Sequence, residues 1–282
     1  MISVVSFATI GVLGETPMMQ SRLLFVLLAV VVAVSSMARA DIVLTNDTNS
    51  YSQDFDTLAS TGTTGTTVPA GWYFSETGTS LNTSYGVGPG SSTTGNTYSF
   101  GSAGSTERAF GGLQSGALVP TIGARFINQG SSAIDKLSVA YRGEMWRAGV
   151  TNRGAADRLD FQYSTDATSL TTGTWTGVSA LNFSSPILLA PAGALDGNAA
   201  GNFTDISSDL VLNLNPNDVI WLRWNDFNVS SSDDGLAIDN FSVTASFLAP
   251  IPEPGAMFLT GAASIAIAGR RWMRRRSNSG SR

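Results

Sequence analysis

The chain has 282 residues and contains neither cysteine nor histidine, which excludes disulfides, thiol chemistry, histidine-based catalytic triads and the usual zinc sites. Its formal net charge of −5 is unevenly distributed, because residues 41–249 hold 19 acidic and 8 basic residues whereas six arginines lie from Arg270 onward. An acidic body without a basic stripe argues against nucleic-acid binding.

The first predicted element is an N-terminal signal helix. Arg22 precedes the apolar run 23–34, which leads into the triplet Ala38-Arg39-Ala40. A positive flank, an apolar centre and an Ala-x-Ala site, in that order, are typical of a signal peptide that signal peptidase removes before Asp41. We therefore assign residues 1–40 to a secretion signal and expect the body to be exported. An uncleaved membrane anchor is the alternative.

The start of the open reading frame is unusual for such a signal. Residues 1–17 contain Glu15 and no basic residue, and they are long for a signal-peptide flank. A start at Met18 or Met19 would give a conventional signal peptide, and we predict that translation begins there.

Residues 41–247 are predicted to form one β-domain. Short apolar alternations are separated by Gly, Ser, Thr and Asn, and no helical period is sustained. In residues 134–142, for example, Leu137, Val139 and Tyr141 share one parity. The other candidate strands are residues 42–45, 71–75, 97–101, 108–113, 123–128, 158–164, 175–178, 210–214, 218–224 and 236–246. This number of strands predicts an all-β fold, a two-sheet antiparallel jelly-roll sandwich.

Parts of the body also resemble known proteins. Residues 220–226 (IWLRWND) followed by 233–241 (DDGLAIDNF) resemble secreted bacterial proteins of unassigned activity. The final strand is similar to that of jelly-roll carbohydrate-binding and MAM-type modules. This resemblance implies the sandwich fold rather than an activity, since one sandwich hosts many functions.

One acidic residue conflicts with the predicted last strand. Asp239 shares a parity with Phe241 and Val243, so a regular strand would bury its carboxylate, at a cost of several kcal/mol unless the charge is paired. Three alternatives remain open. A β-bulge could turn Asp239 to solvent, or an arginine could pair with it. In the third alternative it binds Ca²⁺, and no other cofactor is expected. The candidate arginines are Arg142 and Arg223, and the candidate calcium ligands are Asp226, Asp233, Asp234 and Asp239.

A polysaccharide hydrolase is one alternative function for the body. Without histidine or cysteine, a polysaccharide hydrolase would need paired carboxylates, and the glutamates of the body are Glu76, Glu107 and Glu144. We interpret Glu107 and Glu144 as surface ion-pair partners of Arg108 and Arg147, and expect no enzyme.

A carbohydrate-binding module is the other alternative. It would require exposed aromatic faces. Trp72 follows a glycine and Trp146 stands among charged residues, so these two are predicted to be the exposed pair that stacks on an exopolysaccharide or another glycan.

The C-terminal residues 248–276 combine three unlike segments. Pro252-Glu253-Pro254 lies in a stiff proline-rich stretch. Residues 255–269 (GAMFLTGAASIAIAG) carry no charge and form a predicted short hydrophobic helix, and a cluster of arginines follows: Arg270, Arg271, Arg274, Arg275 and Arg276. An uncharged run that ends in arginines indicates a membrane segment with its C-terminal flank in the cytoplasm.

This combination resembles the PEP-CTERM sorting signal, which exosortases recognise. The resemblance implies transient membrane anchoring and cleavage near the Pro-Glu-Pro box, followed by release to the envelope surface or the exterior. Residues 277–282 are predicted to be a disordered tail. Together these features predict an exported, exosortase-sorted cell-surface or extracellular-matrix protein with a non-catalytic, structural or adhesive body.

Overall fold

The structure is a computed structural model that describes residues 41–249. The predicted signal helix and the predicted C-terminal hydrophobic helix lie outside the described residues. Within residues 41–249 the only helical element is the single 3₁₀ turn Ser179–Leu181. No helix in this part of the chain is long and apolar enough to cross a membrane.

The first sheet is built around the long strand β8. It runs in the order β1-β8-β15-β10-β11, with β4 also on β8 and β12 also on β10. The bounds are β1 Ile42–Leu44, β4 Trp72–Gly78, β8 Leu118–Asn128, β10 Arg158–Ser164, β11 Thr176–Gly177, β12 Phe183–Ser184 and β15 Val219–Phe227. All pairs are antiparallel except β1 with β8.

The second sheet is built around β9 and β16. It runs in the order β13-β9-β16-β7-β6-β5-β3, with β14 also on β9 and β2 also on β16. The bounds are β2 Ser50–Gln53, β3 Thr64–Gly65, β5 Tyr85–Gly88, β6 Asn96–Phe100, β7 Ala109–Leu113, β9 Ile134–Ala148, β13 Gly193–Ala194, β14 Phe203–Leu214 and β16 Gly235–Phe247. Only β5 with β6 is parallel in this sheet's described ladders. The predicted all-β, two-sheet sandwich is confirmed.

The core lies between the sheets and is rich in aromatic rings. Trp224 of β15 is at its centre, with the Trp72 ring stacked 5.9 Å away and the Phe241 ring edge-on at 5.7 Å. Tyr141 and Phe161 contact the same indole at 5.3 and 5.1 Å. Each edge-on or offset pair adds about 0.5–1.5 kcal/mol to the burial of the rings themselves. The alternation predicted for β9 and β10 therefore faces the core as expected.

A β-bulge in β16 resolves the conflict at Asp239. The pairing with β9 shifts between Asp239 and Ser242, and Asn240 takes a left-handed φ of 49°, which Asn tolerates better than most residues. Ile238 and Phe241 therefore both face the core, and Asp239 points to the outer face of the second sheet. The predicted bulge is therefore present, but the predicted exposure of Asp239 to solvent is wrong, because its side chain is buried.

The outer face of the second sheet is covered at this end by residues 185–202. Strand β13 pairs with Arg147 and Ala148, and the Leu195 N–H donates to the Trp146 carbonyl at 2.8 Å. Gly197 lies flat on the Trp146 ring, where a Cβ would come within 2.4 Å of ring atoms. This cover turns an outer sheet face into a second, smaller buried layer.

Candidate acidic sites

Three carboxylates converge beneath that cover. Glu107 precedes β7, Glu144 lies in β9 and Asp239 lies in β16, and one oxygen of each lies within 4.8 Å of the others. Glu144 is 0% exposed and Asp239 is 3% exposed, while Glu107 is partly exposed. We call these residues the acidic triad.

Each carboxylate of the acidic triad has one fixed oxygen and one free oxygen. Glu144 Oε2 accepts the Trp146 indole N–H at 2.9 Å, Asp239 Oδ2 accepts the Asn240 amide at 2.7 Å, and Glu107 Oε2 accepts the Asn198 amide at 2.6 Å. The remaining oxygens, Glu107 Oε1, Glu144 Oε1 and Asp239 Oδ1, are buried and have no hydrogen-bond partner among the described residues.

The nearby arginines Arg108 and Arg142 form no ion pair with the acidic triad. Arg108 directs its guanidinium to the hydroxyl and carbonyl of Ser99, and Arg142 forms a two-pronged pair with Asp205 at 2.8 and 3.2 Å. Burial, reinforced by the Asp239 charge, raises the pKa of Glu144 to about 8. Burial likewise raises the pKa of Asp239 to about 7 and that of Glu107 above its usual value. Pairing of Asp239 with Arg142 or Arg223 was therefore a wrong alternative.

The four predicted calcium ligands do not form one site. Asp226, Asp233 and Asp234 group with Asp157 and Arg153 near the end of β15, whereas Asp239 belongs to the acidic triad. The predicted set is wrong because β16 carries Asp239 away from the loop that holds Asp233 and Asp234. We call the group around Asp157 the aspartate cluster.

The aspartate cluster is a hydrogen-bonded network that contains its own cation, Arg153. Arg153 pairs with Asp234 at 2.9 Å, and both side chains are buried. Asp234 also accepts the Gly149 N–H at 2.7 Å and the Ser185 hydroxyl at 2.5 Å. Asp157 accepts two backbone N–H groups, from Arg158 and Asp234. These bonds hold three loops together, which is a structural role.

Asp226 lacks full hydrogen bonds in this network, as do Arg153 Nε and Nη1. It is 2% exposed, and neither of its oxygens is in a full hydrogen bond, although the Gln114 backbone N–H approaches it. Burial, followed by the Asp157 and Asp233 charges, raises its pKa well above the ordinary range, and burial raises that of Asp157 to about 7. Asp226 therefore retains its proton far above the pH at which an exposed aspartate loses it.

The predicted glycan-stacking pair is wrong, because Trp72 and Trp146 are both 0% exposed. Trp72 points into the core and donates its indole N–H to the Tyr51 hydroxyl at 3.0 Å. Trp146 does lie on an outer sheet face, but residues 185–202 cover it. Neither ring can contact a sugar.

The glutamates considered for hydrolysis are also placed differently from the surface ion pairs predicted for them. Arg147 donates to the carbonyls of Gly90 and Ser91, at 3.1 and 3.3 Å, rather than to Glu144. Glu76 is buried and accepts the N–H and hydroxyl of Thr97 at 2.7 and 3.0 Å. It thereby ties β4 to β6.

Sequence analysis missed an aromatic strip on the outer face of the first sheet. The Tyr73 and Trp221 rings lie 4.8 Å apart, and the Arg223 guanidinium carbon lies 3.8 Å from the centre of the partly exposed Trp175 ring. Arg223 also donates to Gln162 at 2.7 Å. The available signal was the alternation of Trp221 and Arg223 with core residues in β15. We call Tyr73, Trp175, Trp221 and Arg223 the aromatic strip.

The processing residues lie at the edge of the described chain or beyond it. Asp41, the predicted first residue after cleavage, is paired with Arg125. Ala38, Ala40, the Pro-Glu-Pro box and the arginine cluster lie outside the described residues.

Comparison with known proteins gives only distant likenesses. No family model and no curated protein matches the chain. Among solved structures, the K1 cleaved adhesin domain of Lys-gingipain from Porphyromonas gingivalis is 15% identical, with a TM-score of 0.36 over 70% of this chain and 98% of that chain. TmCBM61 in complex with β-1,4-galactotriose is 8% identical, with a TM-score of 0.28 over 51% of this chain and 74% of that chain.

A third likeness is to the CBM22-1–GH10 modules of a Clostridium thermocellum xylanase. It is 9% identical, with a TM-score of 0.29 over 70% of this chain and 28% of that chain. Similarities this low do not transfer an activity to this protein.

Proposed function

We propose that this chain is an exported protein of the bacterial cell surface or extracellular matrix, sorted by an exosortase-type protease, with a non-catalytic structural or adhesive body. The observation that carries the proposal is the order of segments along the chain. A signal peptide precedes a β-sandwich, and the sandwich precedes a Pro-Glu-Pro box, an uncharged run and an arginine cluster.

The placement of the glutamates supports a body without catalysis. Glu144 is fully buried beneath residues 185–202. Both oxygens of Glu76 accept hydrogen bonds, from Thr97 and Asn82. A glycoside hydrolase needs an acid and a second carboxylate that flank an accessible sugar bond. Buried carboxylates that are bonded within the fold do not meet this requirement.

Expression in an exosortase-bearing bacterium tests the sorting route. We expect the wild-type chain to be shortened and recovered at the surface or in the medium. A variant with Pro252, Glu253 and Pro254 all changed to alanine should remain membrane-bound with its C-terminus intact. The matched control Pro250→Ala, just outside the box, should be processed as the wild type is. Equal processing of the triple variant and the wild type would contradict the proposal.

Glycan binding is the second candidate function, and the aromatic strip favours it. Trp175 is partly exposed and held by Arg223, and a ring fixed in this way offers a sugar a flat apolar face beside polar groups. Trp175→Ala should weaken retention on insoluble polysaccharide or exopolysaccharide at least about tenfold. Phe227→Ala is the control, because Phe227 is exposed and also stacked by an arginine, Arg158 at 4.4 Å, but lies outside the strip. Equal retention of both variants and the wild type would rule out the strip as a glycan site.

A further inference from the structure

We propose that Glu107, Glu144 and Asp239 bind a hard divalent cation of the Ca²⁺ class on the outer face of the second sheet. The inference goes beyond the proposed function. That function requires no metal, so the test of the metal site does not decide it.

The spacing of the acidic triad suits one ion. Its three oxygens lie within 4.8 Å of one another. Two oxygens bound to the same Ca²⁺ can be separated by at most about 5.2 Å, twice the longest usual metal–oxygen distance. A single ion can therefore reach all three oxygens with little movement of the side chains.

The free oxygens indicate that the cluster lacks a partner. Glu144 Oε1 and Asp239 Oδ1 belong to side chains that are at least nine-tenths buried, and each is unpaired. Leaving a buried polar group without a partner destabilises the fold, and more so when the group is charged. Two such atoms in neighbouring carboxylates of one convergent group are best explained by a ligand between those carboxylates.

The other three oxygens have the partners expected of metal ligands. Trp146, Asn240 and Asn198 each donate one hydrogen bond to one carboxylate and fix its orientation. Hydrogen bonds of this kind, behind the coordinating atom, orient ligands in metal sites. These bonds fix one oxygen of each carboxylate and leave the other oxygen available to an ion.

The charge balance favours a cation from solvent over a protein cation. Arg108 is bound to Ser99 and Arg142 to Asp205, so neither forms an ion pair with the acidic triad. In the aspartate cluster, by contrast, Arg153 already supplies the positive charge. The acidic triad therefore contains no ion pair, whereas the aspartate cluster contains one.

The chemistry of the donors selects the kind of ion. All three ligands are carboxylate oxygens, which suit hard cations rather than copper or zinc. Ca²⁺ accepts irregular shells of six to eight oxygens, whereas Mg²⁺ demands a near-ideal octahedron and dehydrates reluctantly. Glu107 is the partly exposed member of the acidic triad, so the side of Glu107 is the nearest to solvent.

Thermal unfolding of the full-length protein in mild detergent tests the site with the metal alone as the probe. After EDTA treatment, Ca²⁺ at about 100 times its Kd should raise the Tm by about 5–10 °C, with one ion bound per chain by calorimetry. The same concentration of Mg²⁺ should have a smaller effect. Glu144→Gln and Asp239→Asn should abolish the shift, whereas Asp209→Asn, at an exposed acid of the same sheet that pairs with Lys136, should keep it.

Terbium luminescence of the wild-type protein tests the site independently of whether the variants fold. Trp146 donates its indole N–H to Glu144, so Tb³⁺ bound at the acidic triad should be sensitised by tryptophan excitation. Excess Ca²⁺ should displace that emission at one site per chain. The proposal is overturned if Ca²⁺ leaves the wild-type Tm unchanged and Tb³⁺ emission does not appear. It is equally overturned if the Asp239→Asn shift matches that of the wild type.

Discussion

Replacing Trp72 by alanine is expected to lower the free energy of unfolding by about 3–5 kcal/mol. The indole is fully buried, packs against Phe55 at 4.6 Å and Trp224 at 5.9 Å, and bonds the Tyr51 hydroxyl. The change leaves a large cavity at the centre of the core and a hydroxyl without its donor. Urea or thermal unfolding should show the loss as a fall in Tm on the order of 10 °C.

Trp175→Ala is the matched control for this substitution. It removes the same kind of side chain from a partly exposed position on the aromatic strip. The free energy of unfolding should therefore change by less than about 1 kcal/mol. Equal losses from the two variants would mean that Trp72 is not at the centre of the core.

The second large effect is expected in the aspartate cluster, where two isosteric substitutions should act in opposite directions. Asp226→Asn removes a carboxyl that lacks full hydrogen bonds and has a raised pKa, so it should stabilise the protein at neutral pH. Asp234→Asn removes the partner of buried Arg153, which should cost about 3–5 kcal/mol.

The pH dependence of the Asp226→Asn effect follows from the sign of its pKa shift. In the unfolded chain Asp226 ionises near pH 4, whereas in the folded protein its pKa lies well above that value. The folded state thus binds the proton more tightly, and wild-type stability falls as the pH rises from about 4 through the raised pKa. The neighbouring Asp157, with a pKa of about 7, extends this fall across the neutral range.

Thermal unfolding between pH 4.5 and 8, with EDTA present to exclude bound cations, measures both variants. The stabilisation by Asp226→Asn should be small at pH 4.5 and largest at pH 8. The loss of stability caused by Asp234→Asn should appear at every pH in this range. A lower Tm for Asp226→Asn at pH 8 would contradict the description of that carboxyl as protonated and unpaired.

Sequence alternation predicted the fold because core positions repeat along each strand. Leu137, Val139 and Tyr141 face the core as their parity requires, and the candidate strands 158–164 and 236–246 match β10 and β16 closely. Local pattern was sufficient here, because a strand with one buried face must alternate.

The outer layer of the second sheet could not be predicted in the same way. The predicted strand ended at residue 142, whereas β9 continues to Ala148. The face of β9 that carries Glu144 and Trp146 is buried by residues that are distant in the chain. A polar neighbour of a tryptophan usually indicates exposure. Here residues 185–202 bury Trp146 instead. A contact between segments so distant in the chain cannot be predicted from the local sequence pattern.

The acidic triad depended on two features that the sequence leaves open. The Asn240 bulge decides which face Asp239 occupies, and alternation alone allowed several outcomes. Glu107 and Glu144 are brought together only by the pairing of distant strands. The four aspartates chosen from the sequence were close together in the chain, but strand β16 separates Asp239 from the other three.

The intact mass of the chain recovered outside the cell tests the account most directly. Export and exosortase-type sorting require a product that begins at Asp41 and ends close to the box at Pro252, Glu253 and Pro254. A cytosolic product that retains both the apolar run 23–34 and residues 248–282 would contradict export, sorting and every extracellular role proposed for the sandwich.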